Sequence, residues 1–483
     1  MTNFSLFTDD ISTLNVKTIV LAVAKQGEEA AICQSSLDSQ IIAELDTHLP
    51  ALGMDGSAGS VVTTIAPAGI SAETLTLVGV GKLDELDAEA FRRAAGVATR
   101  ITKAESVAFD IATSDTEFAA LVEGAALGAY RYDRYLSKKA TRIESVSFAE
   151  EEGRQSQLDA VLKVSAAVSL TRDLVNTPSL DLYPEKFVEL AREAIADLPI
   201  EIEVWDMERL RAEGCGGIVG VGQGSSRPPF MVRLSYSPNA ATSHIALIGK
   251  GITFDSGGIS LKPGLNMENM KSDMAGAATV LSATVAAAQL GLDTKVTTYL
   301  ALAENLPSDT AQRPSDVVKI RNGKTVEVIN TDAEGRMVMA DALSLATELN
   351  PDAIIDVATL TGAQIIALGN RTAGLMGQGE VPDELAVSAQ ETGEPMWVMP
   401  IPEETAEANS STVADVQNTG GRPAGMLVAA NFLSNFVADF PWAHMDIAGP
   451  SYNTGAPWGF TPKGGTGMGV RTLIDYLISR QPA

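Results

Sequence analysis

The chain has 483 residues, 45% apolar and 20% charged, and 35 Lys plus Arg against 61 Asp plus Glu give a net charge of -26. That length exceeds one ordinary core and predicts two domains, while the acidity argues against nucleic acid and anionic lipid as partners. Two cysteines, Cys33 and Cys215, cannot frame a disulfide network or a four-cysteine zinc site, and no apolar run approaches the roughly 20 residues of a bilayer span. The first residues, "MTNFSLFTDDIS", are acidic where a leader is basic, so a reducing, cytoplasmic location is expected.

In chain order, "KTIVLAVA" (17–24), "TLTLVGVGK" (74–82) and "SVAFDIA" (106–112) read as strands, and 116–136 reads as a helix. The "VGVGK" within the second of these lacks phosphate-loop spacing and predicts a tight strand-to-helix turn. Residues 149–172 read as one helix, followed by the turn-rich "NTPSLDLYP" (176–184). The expected organisation is a smaller N-terminal α/β domain over 1–150, a connecting helix over 151–174, and a larger C-terminal α/β domain over 175–483.

In the second domain, "HIALIGK" (244–250), "KVTTYLAL" (295–302), "DAIIDVATL" (352–360) and "AHMDIAG" (443–449) are short buried-strand patterns. Helical stretches such as 274–291 and 337–349 separate them, which implies a mostly parallel central sheet. Ligands gather at the carboxyl ends of such strands. The residues that follow them therefore matter most: Lys250 and "GITFDSGG", "NTDAEGR" after 325–329, and "TGA" after 352–360. The glycine-rich 454–469 reads as a mobile loop.

Those ends collect Lys250, Asp255, Lys262, Asp273, Asp332, Glu334 and Arg336. A lone Asp before a helix is usually a cap, and a lone Lys is usually solvated. Four carboxylates converging on one pocket, however, repel one another unless cations neutralise them, and two divalent ions do so most economically. On extended backbone Asp332 and Glu334 point to one side and reach one ion pair. All-oxygen ligation suits Mn²⁺ or Mg²⁺, with Zn²⁺ also accepted. Arg336, opening a helix, is placed to hold a small anion. "FDSGGIS" (254–260) places Ser256 in a serine-protease-like segment, but the α/β pattern argues against that chemistry, and His244 and His444 read as structural residues at strand starts.

At these residues the sequence resembles the leucine aminopeptidase (cytosol aminopeptidase) family of metallopeptidases. "NTDAEGR" (330–336) is that family's signature, and "GKGITFDSGGISLKP" (249–263), "MKSDMAGAA" (270–278), "DVATLTGA" (356–363) and "HMDIAG" (444–449) are similar to other segments of the family. The resemblance implies a C-terminal catalytic peptidase domain with two divalent ions per subunit, manganese first and zinc as the alternative. Lys250, Asp255, Asp273 and Glu334 hold one ion, and Asp255, Asp332 and Glu334 hold the other. It casts Lys262 and Arg336 as catalytic, the first polarising the scissile carbonyl and the second holding a bicarbonate. Met270, Thr359, Leu360 and Gly362 fall on substrate-pocket positions. The implied reaction is hydrolysis of the N-terminal residue, leucine and other mainly apolar ones, from short peptides with a free N-terminus by a metal-bridging water, in intracellular peptide turnover. The implied assembly is a homohexamer. A second role in DNA binding, resembling some bacterial members, runs against the charge.

Overall fold

The computed structural model describes residues 2–151 and 153–481. They form two compact units. One runs to Ala166 and takes back Gly455–Lys463, and the other holds Ala167–Thr454 and the chain from Gly464 on. The division falls within the single helix Arg154–Asn176.

The first unit is a seven-stranded sheet ordered Asn3–Phe7, Ser145–Ala149, Ser106–Asp110, Thr18–Gln26, Thr74–Lys82, Val61–Ile65, with Glu29–Cys33 also paired to Thr18–Gln26. The helix expected over 116–136 spans Asp115–Ala129, opened by a capping box between Ser114 and Glu117. The "VGVGK" stretch continues its strand rather than turning: Gly81, at φ +95°, sits where pairing with Thr18–Gln26 shifts register. Part of the glycine-rich stretch expected to be mobile belongs to this unit, where Arg100 Nε donates to Gly459 O at 3.0 Å.

The second unit carries an eight-stranded sheet ordered Met396–Val398, Ala373–Gln378, Trp442–Asp446, Ala353–Ala358, His244–Asp255, Lys295–Asn305, Phe230–Tyr236, Ile200–Trp205. Its four middle strands, from Trp442–Asp446 to Lys295–Asn305, are mutually parallel, and antiparallel pairs flank them. Burial explains the sequence pattern, since strands covered on both faces read as continuous apolar runs. Ala353–Ala358 is buried at every residue. Helix Ala275–Leu290 is small-residue-rich and buried over most of its length, so its backbone seats directly on the sheet.

Two features differ from expectation. Strand 244–250 continues to Asp255, with a register shift between Ile252 and Phe254 in its pairing with Lys295–Asn305. Lys250 and Asp255 are five positions apart, and on a regular strand they would face opposite sides. One bulged residue flips that parity and lets both serve one site. The strand before "NTDAEGR" is only Thr325–Glu327, and it belongs to a separate three-stranded sheet with Val317–Lys319 and Val416–Gln417 rather than to the central sheet. Three-residue strands carry too little periodicity to be assigned to a sheet from sequence.

Candidate metal centre

The second unit brings the ends of its middle strands together with two helix starts. Asp255 ends strand His244–Asp255, and Gly257 (φ +88°) and Gly258 (φ +66°) then turn the chain sharply. A Cβ on Gly257 would stand 2.9 Å from Asp332 Oδ1, so glycine is required there by space as well as by conformation. Asp273 precedes helix Ala275–Leu290, and Glu334 opens helix Glu334–Thr347.

Ligand oxygens of Asp255, Asp273 and Glu334 all lie within 4.8 Å of one another, and all three residues are buried. Lys250 Nζ donates to Asp273 Oδ1 at 2.8 Å and to Thr359 O at 2.9 Å, and lies 3.0 Å from Glu334 Oε1. Lys262 Nζ bridges Asp255 Oδ2 at 2.7 Å and Asp332 Oδ1 at 2.6 Å. Asp332 is not a helix cap, because Ala333 holds that position without a side-chain bond. Nor do Asp332 and Glu334 share a side of extended backbone. A turn separates them, so Asp332 faces Lys262 while Glu334 faces Lys250.

Burial and mutual repulsion set the protonation. Burial, reinforced by the charge of Asp255, pushes Glu334 up to about 8, and burial raises Asp273 to about 6 against the pull of Lys250. For Lys250, burial would depress the ammonium, but Asp273, Glu334 and Asp255 outweigh it and hold the pKa above the ordinary lysine value. Lys262 follows the same logic with Asp255, Glu334 and Asp332. As a ligand Lys250 must instead be a neutral amine, and a neighbouring dication reverses the direction of its shift.

The donor set fits divalent cations. Glu334 Oε2 is buried with no hydrogen-bond partner among the described residues, and Asp273 Oδ2 approaches Lys250 without hydrogen-bond geometry. Buried carboxylate oxygens without partners are costly unless they bind cations.

Arg336 is buried on the first turn of its helix. Its Nη1 donates to Asn418 O at 2.8 Å, its Nε has no hydrogen-bond partner among the described residues, and burial lowers its pKa to about 10. Thr359 Oγ1 donates to Asp273 Oδ1 at 2.7 Å, which ties the predicted pocket wall to the carboxylate cluster. Half-buried Leu360 and exposed Gly362 follow it, and half-buried Met270 precedes Asp273 on the 3-10 turn Met267–Ser272.

Ser256 is buried, and its hydroxyl donates to Asn305 O at 2.7 Å and accepts from Gly258 N. His444 lies within strand Trp442–Asp446 rather than at its start, and its Nδ1 meets Asp356 Oδ1 at 2.5 Å. His244 opens its strand and bonds Thr297.

Sequence reasoning passed over three residues. Asn305 Nδ2 donates to Asp255 Oδ1 at 2.8 Å and to Thr331 O at 2.9 Å, fixing a carboxylate from behind. Its position at the end of a middle strand was the available signal. Asp446, likewise at a strand end, accepts from Leu360 N, Thr361 N and Thr361 Oγ1 and so shapes the pocket wall. Asn418 had no such signal.

A parallel-strand sheet whose ends collect buried carboxylates and lysines is the arrangement expected of a metal-dependent hydrolase. Family models agree: "Cytosol aminopeptidase family, N-terminal domain" matches residues 19–139 and "Cytosol aminopeptidase family, catalytic domain" matches 169–474. A probable cytosol aminopeptidase of Micrococcus luteus is 45% identical over 97% of both chains, and one of Clavibacter michiganensis is 49% identical over 88% of both. Among solved structures, a tomato leucine aminopeptidase mutant is similar at a TM-score of 0.87 and 30% identity, covering 99% of this chain and 97% of its own. The bottromycin maturation enzyme BotP in complex with Mn is similar at 0.86 and 34%, covering 96% of this chain and 99% of its own. The chain belongs to the cytosol aminopeptidase family and is a metal-dependent aminopeptidase, a hydrolase. Among the described residues no helix is long and apolar enough to cross a membrane.

Proposed function

We propose that this aminopeptidase removes leucine and other mainly apolar N-terminal residues from short peptides, in intracellular peptide turnover in the cytoplasm. Two divalent ions, manganese before zinc, would be held by Lys250, Asp255, Asp273, Asp332 and Glu334. When bound, the ions neutralise the carboxylates, depress the pKa of a shared water and act as Lewis acids toward the scissile carbonyl. The observation that carries this reading is the buried Asp255, Asp273 and Glu334 trio within 4.8 Å, two of whose carboxylates are raised by burial.

The chain's own groups then have separable tasks. Lys262, partly exposed at the mouth, donates to the carbonyl oxygen as negative charge develops there. Asp273 receives the substrate's free α-amine, which restricts the reaction to a terminal residue. Arg336 Nε is the donor for a small oxyanion, bicarbonate by the resemblance, which would take up a proton from the attacking water. Thr359, Leu360, Gly362 and Met270 border the first side chain. By the resemblance, a homohexamer is the expected assembly.

The test is hydrolysis of a panel of aminoacyl amides by metal-stripped protein after restoring Mn²⁺, Zn²⁺ or Mg²⁺ in turn. Leucine amide should be cleaved with Mn²⁺ and an N-acetylated analogue should not. No turnover with any ion, or turnover of the blocked substrate, would reject the reading.

A further inference from the structure

Asn418 is fully buried just beyond the two-residue strand Val416–Gln417, which pairs in parallel with Thr325–Glu327. Its backbone N–H continues that pairing onto Glu327 O at 2.9 Å. Beyond that point its side chain takes over the strand's role. Oδ1 accepts from Ile329 N at 2.8 Å and Asn330 N at 3.2 Å, and Nδ2 donates to Asn330 O at 2.7 Å. Asn330 Oδ1 in turn accepts from Asp332 N at 2.9 Å, and the Asn418 carbonyl holds Arg336 Nη1. One residue thus grips both ends of the segment that contains Asp332 and Arg336.

We propose that Asn418 is a positioning residue for this aminopeptidase: through Asn330 it sets the Asp332 carboxylate, and through its own carbonyl the Arg336 guanidinium, so that the outer ion and the anion site are built in register. This rests on the two-ion reading above. The physical basis is that an amide side chain can satisfy an N–H and a C=O at once, in the pattern of a strand neighbour, without supplying another backbone residue. Residues that orient ligands from outside the coordination sphere change metal affinity or activity by about 10–100-fold when removed.

The test uses the full chain and Mn²⁺ titration by calorimetry, with kcat and KM for leucine amide. Wild type should take two ions. Asn418→Ala should weaken only the looser ion, by about 10–100-fold, and lower kcat by a similar factor with KM little changed. Asp415→Ala is the structural control. Asp415 accepts from Thr325 N at 2.7 Å and Thr325 Oγ1 at 2.8 Å at the far end of the same strand pair, so its loss should loosen that pair without moving either Mn²⁺ affinity. Should Asn418→Ala fail to fold, Asn330→Ala removes the side chain that accepts from Asp332 N and should weaken the looser ion alone by the same factor. Unchanged ion binding in the folded variant, or an equal shift in Asp415→Ala, would overturn the positioning role while leaving two-ion catalysis intact. Fewer than two ions in wild type would overturn both.

Discussion

Lys250, Asp273 and Glu334 make up an inner half of the site, with side chains 3%, 8% and 2% exposed, whereas Lys262 and Asp332 form an outer half at 22% and 32%. Both halves pair lysine with carboxylate at similar distances. The inner charges have no water to fall back on, so each depends on its neighbours being present and charged. The outer charges are partly screened and can exchange one partner for another, including a substrate. On the function proposed above, similar pairs would divide the work, the inner half holding metal and structure and the outer half meeting the reacting carbonyl.

The sharpest way to break this contrast is at Glu334. Glu334→Ala should abolish Mn²⁺-restored hydrolysis and, in chelated protein above pH 8, where the carboxyl is ionised and Lys250 loses a charged buried partner, destabilise the fold by about 3–5 kcal/mol in urea unfolding. A wild-type midpoint would erase the distinction between the halves. Next in size, Lys262→Ala should lower kcat by roughly 10²–10⁴-fold with a smaller loss of stability, since the buried Asp255 keeps Gly257 N and Asn305 Nδ2 as donors. Destabilisation as large as that of the Glu334 variant would make the outer half structural.

Gly335→Ala sharpens the inner half alone. The added methyl would stand 2.7 Å from Lys250 Nζ and 2.6 Å from its Cε, in a side chain with no free space to retreat into. It should cost about 1–3 kcal/mol, the range for overpacking, and weaken Mn²⁺ binding. Unaltered calorimetric affinity would show the inner lysine to be adjustable.

An effect that appears only as a pH dependence lies outside both halves, at Asp341 on the same helix. Burial raises it from 3.8 to about 7, although it accepts from Ile218 N at 2.8 Å and Arg321 N at 2.9 Å. A carboxyl with a raised folded pKa contributes stability that is present in full below the unfolded value and lost as pH rises through the folded one. The stability gap between wild type and Asp341→Asn should therefore narrow from pH 4 to pH 8 in chelated protein, since the variant has no such proton to lose. A constant gap in denaturant midpoints would contradict it.

Much of the architecture was legible because burial on both faces writes continuous apolar runs: "HIALIGK", "DAIIDVATL" and the Ala-rich 274–291 all became elements of the central layers. The carboxylates were legible as a set because they follow those elements, and the "NTDAEGR" resemblance assigned them individually. What could not be read was local. The bulge at 252–254 adds one residue to a strand that looks regular in sequence, yet it decides that Lys250 and Asp255 face the same way. Asn418 lies 82 residues from the arginine it holds, at the end of a two-residue strand, and no periodicity announces such a partner.

The inner and outer halves are expected to hold a pair of divalent ions between them. Anomalous diffraction at the manganese edge from Mn²⁺-loaded crystals tests it most directly. Two peaks about 3.5–4 Å apart, one against Asp273 and Lys250, the other against Asp332, with Asp255 and Glu334 shared, are predicted. A single peak, or none among these side chains, would contradict it.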